Sequence, residues 1–145
     1  NCKEVIKLEL TENEKKKEFL MSYQKEKRRV RRLEEQLEEL RRNKMSPSVT
    51  NDGMPHGTDK KDLSDYAVKV DEIEQELVAA RYCRICAFQE VQKRIEAMED
   101  EREKDLLTYR YLKGLKWEEV AVRMDYKWRQ VHRIHAMAIK NLKMA

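Results

Sequence analysis

Phe19, Tyr23, Val30, Leu33, Leu37 and Leu40 recur at steps of three and four, with Glu26 filling the one missing step. No β-strand holds that spacing on one face, because strand side chains alternate every two residues. On an α-helix it draws one narrow apolar stripe, the seam of a coiled coil. A long helix from Glu12 to about Asn43 is therefore expected. The rest of its surface is charged. "RRVRRLEEQLEELRR" looks at first like a patch for a polyanion, but Glu34, Glu35, Glu38 and Glu39 lie one turn from the arginines. Acid and base at that spacing pair, so the stretch reads as a solvated face.

A second stripe begins at Leu63 and continues through Tyr66, Val70, Ile73 and Leu77. It then reaches Ile85 and Phe88 by way of Arg81 and goes on to Val91, Ile95 and Met98. The interval from Leu77 to Phe88 spans eleven residues and reads as a stutter, which locally unwinds a heptad seam. Between the stripes, "KMSPSVTNDGMPHGTDKKD" holds both prolines and two of the three glycines. That composition reads as a linker over 44–62, in which His56 is solvent-exposed. The expected organisation is a long helix in 1–43, a flexible linker in 44–62, a second long helix in 63–100 that pairs with the first, and a compact unit in 101–145. The stripes either fold back as an antiparallel hairpin or pair between subunits. An all-α chain results in both cases, and the composition agrees: 41% charged residues, 3 Gly and 2 Pro.

The charge is unevenly placed. Residues 126–145 carry Lys127, Arg129, Arg133, Lys140 and Lys143 and no acid, +5 of a total of +4, so the remainder carries −1. A basic end on a near-neutral body points to a polyanion bound there. No stretch is long or apolar enough for a membrane span, and "NCKEVIKLEL" lacks the apolar run of a signal peptide. Cys2, Cys83 and Cys86 form an odd, sparse set and read as reduced thiols in a cytoplasmic protein.

From Leu106 the pattern compacts into short elements: "DLLTYRYL" with Gly114 just beyond it, "WEEVAVRM", and "KWRQVHRIHAMAIKNL". The preceding "EDEREKD" is either a continuing helix or a junction. Val120, Ala121 and Met124 share one face of the middle element, Val131, Ile134 and Ala138 one face of the last, and Asp125 stands at the turn. A small residue at a close crossing, a tight turn and apolar locks behind it are the internal logic of a helix-turn-helix. The inward positions once assigned, Lys127, Trp128, Arg129, Gln130, His132 and Arg133 are left outside. Arg and Gln present paired groups to base edges, and Lys reaches phosphates, where a carboxylate is repelled.

Residues 106–142 resemble region 4 of sigma-70-type factors. The resemblance rests on Arg110–Tyr111, Gly114–Leu115, Glu118–Glu119–Val120–Ala121, Met124–Asp125, Val131, Ile134, Ala138 and Leu142. The layout, with Ser46–Pro47 and Met54–Pro55–His56–Gly57 in the linker, is also similar to phage and prophage late-gene regulators of the ArpU and RinA type. The resemblance implies a C-terminal helix-turn-helix behind a helical hairpin, reading double-stranded DNA through Lys127, Trp128, Arg129, Gln130, His132 and Arg133, with Lys140 on the backbone. It also implies a homo-oligomer, a dimer first, with RNA polymerase as a further partner. Four positions depart from it. Asp125 replaces the turn glycine, Lys116 and Lys127 replace the Ser or Thr caps, and Trp128 stands where Arg is frequent, which points to a distinct operator. Rival readings are a DNA-packaging protein like a terminase small subunit, and a sigma-like module that grips polymerase without reading DNA.

No catalytic set, phosphate loop or cofactor motif is present, so no enzyme and no cofactor is expected. Cys83-x-x-Cys86 and His132-x-x-His135 could compose a zinc set on paper. The pairs come from different elements and His135 lies near the packing face, so no metal is expected and the cysteines read as free thiols or small buried side chains. Trp117 is expected to pack at the front of its helix, and Trp128 to serve as a groove contact or an interface aromatic.

Overall fold

The computed structural model describes residues 2–45 and 60–144. Among them are five α-helices, one π-helical turn and no strand. Helix α1 is Cys2–Met45 and α2 is Lys60–Glu96. Helix α3, Glu101–Leu107, runs directly into the π turn Thr108–Leu112, and α4, Trp117–Met124, and α5, Trp128–Asn141, follow. The expected linker therefore narrows, since Lys44, Met45 and Lys60–Asp62 are helical; positions 46–59, with His56 and the Ser46–Pro47 and Met54–Pro55–His56–Gly57 pattern, lie outside the described residues, as does the Cys2 thiol.

The two long helices fold back on one another within the chain. Arg41 pairs with Glu74, Glu34 with Arg81 at 3.1 Å, and Tyr23 stands edge-on to Phe88 with ring centroids 5.1 Å apart. One number falls as the other rises, so the hairpin is antiparallel. Its distal half buries Val30, Leu33, Leu37, Leu77 and Ala80, with Val70 and Ile73 against them. Of the expected ion pairs along α1, Glu38 takes Arg42 at 2.7 Å, one turn away, whereas Glu34 reaches across to α2. Each such exposed pair stabilises by less than about 1 kcal/mol, so the apolar seam holds the hairpin together.

The seam of α2 departs from the expected path. Ala80 is fully buried and Arg84 half-buried, while Ile85 and Leu63 are exposed. Eight residues turn a helix about 80° past its starting line, so Ile85 cannot share a face with Leu77, whereas Ala80 and Arg84 stay within the stripe. The stripe thus keeps its eleven-residue stutter, stepping three, four and four from Leu77 to Phe88 through a small residue and an amphipathic one that an apolar count does not recognise.

The C-terminal elements do not form a core of their own. Leu106, Leu107, Tyr111, Leu112, Val120, Val131, Ile134, Ala138, Ile139 and Leu142 join Leu20 of α1 and Val91, Ile95 and Met98 at the end of α2 in one buried cluster. The segment between α2 and α3 is a junction: Asp100 caps α3, its carboxylate accepting from the N–H groups of Arg102 at 2.9 Å and Glu103 at 3.3 Å. Gln24 of α1 donates its amide to the carbonyls of Tyr111 and Leu112 at 3.0 and 3.3 Å, satisfying the end of the π turn. Gly114 follows in the left-handed region, φ +69, as its position after the helix suggested.

Candidate nucleic-acid interface

The turn between α4 and α5 sets the geometry of the site. Asp125 is left-handed, φ 55 and ψ 45. The Tyr126 N–H reaches back to the Ala121 carbonyl at 3.0 Å and the Asp125 N–H to that of Val122 at 3.2 Å. These two bonds make a Schellman close, which ends α4 and turns the chain sharply with no glycine. Val120 is fully buried, and Ala121, Met124 and Tyr126 pack against the shared core. At the start of α4 the Glu119 carboxylate accepts from the Lys116 N–H at 2.9 Å, half of a capping box; a lysine side chain cannot supply the other half.

Helix α5 buries Val131, Ile134, Ala138 and Ile139. The opposite face carries Arg129, Arg133, Ala136 and Lys140, all exposed and spaced by three or four residues, with Gln130 and Met137 on one flank. Lys127, Arg129, Arg133 and Lys140 have no ion-pair partner among the described residues. The N-terminus of α5 has no side-chain cap and no acid in its first turn. The free N–H groups of that turn and the helix dipole both favour an anion. Glu12 of α1 lines a groove with Lys140, and at the Gln130–Arg133 edge Asp100, before α3, and Glu103, in α3, border the stripe. Both are engaged: Asp100 caps α3, and the buried Glu103 accepts from the Asn141 amide at 2.9 Å.

Trp128 and His132 are placed differently from the other predicted contacts. Trp128 is 54% exposed, but its ring leans on His132 with centroids 4.1 Å apart. His132 is half-buried between Trp128 and Trp117, 4.9 Å from the latter, and its Nε2 is buried without a hydrogen-bond partner. Trp117 does more than pack at the front of its helix. It also meets His135 edge-on at 4.7 Å and lies under the Arg110 guanidinium at 4.5 Å. Arg110 in turn donates to the Leu115 carbonyl at 2.9 Å. His135 sits 2.7 Å from the Tyr111 hydroxyl; with its proton on Nδ1 the ring accepts there. Burial first, then the charges of Lys17, His132 and Arg110, lower the His135 pKa to about 4, which keeps the ring neutral. The motif residues Arg110 and Tyr111 thus brace the ring cluster beneath the exposed stripe.

Sequence reasoning missed the part played by α1. Lys16 donates to the Lys140 carbonyl at 3.1 Å, so α1 lies along the end of α5 while the Lys140 side chain stays exposed. Gln24 and Leu20 act similarly at the π turn and in the core. No local pattern signals contacts between positions so far apart in sequence. Cys83 is exposed and Cys86 half-buried, both as free thiols, and no three His, Cys, Asp or Glu among the described residues are grouped to hold a metal. Among the same residues no helix is long and apolar enough to cross a membrane. No family model matches the chain, nor does any curated protein or solved structure.

Proposed function

We propose that this chain is a sequence-specific DNA-binding protein, a phage or prophage transcriptional regulator that lays α5 in the major groove of duplex DNA. One observation carries the reading: α5 presents an exposed stripe of Arg129, Arg133 and Lys140, unpaired with carboxylate, on the face away from the core. α4 and the Schellman turn brace it as a helix-turn-helix, and α5 is about 21 Å long, enough to follow the groove. In this reading Gln130 and Arg133 address base edges, while Lys127, Arg129 and Lys140 contact phosphates. Trp128 covers the flank, and His132 props its ring.

Titrating the protein against a pool of random duplexes at two salt concentrations tests the proposal. With about three phosphate contacts, the logarithm of affinity falls against the logarithm of salt with a slope of about −3. Arg133→Ala relaxes base preference and costs about 1–3 kcal/mol on the selected site, whereas Lys140→Ala weakens all duplexes alike. Binding that ignores salt, or that neither variant alters, refutes it. A second reading has its own support: Val122 is 81% exposed on α4, near the exposed Trp128 in sequence, as a protein-binding module would require. Capture of RNA polymerase without retention of any duplex selects that reading.

A further inference from the structure

Helix α2 carries two stripes, of which the hairpin uses one. The second follows the same three-four stepping on the outer face: Val68, Gln75, Val78, Tyr82, Ile85 and Gln89, with Asp71 at the intervening step, all exposed. Its centre is apolar over two turns, with Val78 65%, Tyr82 68% and Ile85 51% exposed. Single exposed apolar residues are ordinary, but a heptad-spaced run on one helix face is what a coiled-coil partner covers. We propose that α2 pairs antiparallel with α2 of a second copy of this chain across that stripe, about a two-fold axis at Tyr82.

The stripe is self-complementary in that orientation. Turned about Tyr82, Gln75 stands opposite Gln89 of the second copy, Val78 lies beside its Ile85, and Tyr82 meets itself. An amide pair at each end of an apolar centre can hydrogen-bond across the interface and penalises slipped registers. The charges agree. Asp71 and Glu72 precede the apolar centre and Lys93 follows it, all three exposed, and neither Glu72 nor Lys93 has an ion-pair partner among the described residues. An antiparallel pair sets the acids of each copy beside Lys93 of the other, whereas a parallel pair sets like on like. The contact from Val68 to Lys93 is about 37 Å long, the reach of a stable helix pair. The inference stands apart from the DNA reading, since the face lies on a different helix from the basic stripe.

Sedimentation equilibrium of the full chain over a range of concentrations is the test. The unmodified chain is expected to be dimeric. Tyr82→Glu with Ile85→Glu weakens the dimer at least about tenfold while leaving helicity unchanged, because both side chains are solvent-exposed in the single chain. Val122→Glu, on α4, leaves the dimer intact. Lys93→Glu and Glu72→Lys each weaken it, and the two together restore it to within about threefold, because the residues meet across the interface. A chain that stays monomeric or forms a larger assembly overturns the proposal. So does a dimer indifferent to Tyr82→Glu with Ile85→Glu, or a charge swap that fails to restore affinity.

Discussion

Two residues with positive φ shape the C-terminal half, and they differ in what they tolerate. Asp125 holds a left-handed backbone in open surroundings, where an Asx side chain costs little. Gly114 has no such room: a Cβ there would stand 3.1 Å from the carboxamide of Gln24, which caps the π turn. Gly114→Ala is expected to destabilise by about 1–3 kcal/mol, from backbone strain and displacement of Gln24, and a denaturant titration measures it. His135 makes a second residue-scale prediction. Its folded pKa of about 4 lies below the ordinary histidine value of 6.5, so the unfolded chain binds the proton more readily. Stability is therefore full above about pH 6.5 and is lost as the pH falls toward 4. Melting curves between pH 7 and pH 4.5 check the direction, and His135→Gln flattens this part of the dependence.

At the scale of elements, α5 gives up a stable start for an open one. Lys127 occupies its N-cap and makes no capping hydrogen bond. Lys127→Asp should cap the helix and raise stability by about 1 kcal/mol. The same carboxylate would face phosphate, so DNA affinity should fall about tenfold or more in a matched titration. Stability and affinity moving in opposite directions separate a DNA-reading helix from one that merely packs; if both rise, the assignment of this end to phosphate is wrong. The seam of α2 teaches a related lesson. Ala80 and Arg84 occupy buried or half-buried seam positions that a search for large apolar side chains passes over, and Ile85, which such a search selects, faces outward. Helical phase, at about 100° per residue, decides the face before side-chain type does.

For the whole molecule, the decisive contact is Leu20, fully buried where α1 meets the π turn and α5. Leu20→Ala is expected to cost about 2–5 kcal/mol and to lower the melting of the hairpin base and the C-terminal unit together, seen as one shifted calorimetric transition. Residues 101–145 therefore behave as part of a larger cooperative unit, anchored by Val91 and Ile95 as well as Leu20. An antiparallel pair through α2 would also hold the two α5 helices at opposite ends of the dimer, upwards of about 50 Å apart. If α5 reads DNA as proposed, selected sites are expected to show half-sites nearer two helical turns apart than one.

Helical content, the two long elements, the turn at Asp125, the left-handed Gly114 and the inward face of α5 were legible in the sequence, because each follows from spacing along a single helix or from the backbone preference of one residue. The antiparallel pairing within one chain, the shared core through Leu20, the cover that Lys16 and Gln24 of α1 give to α5 and the π turn, and the burial of His132 between two indoles were decided only in the tertiary structure. All but the last join positions dozens of residues apart, and Trp117 and His132 lie on different helices; local periodicity says which face of a helix is apolar but not which other surface will cover it.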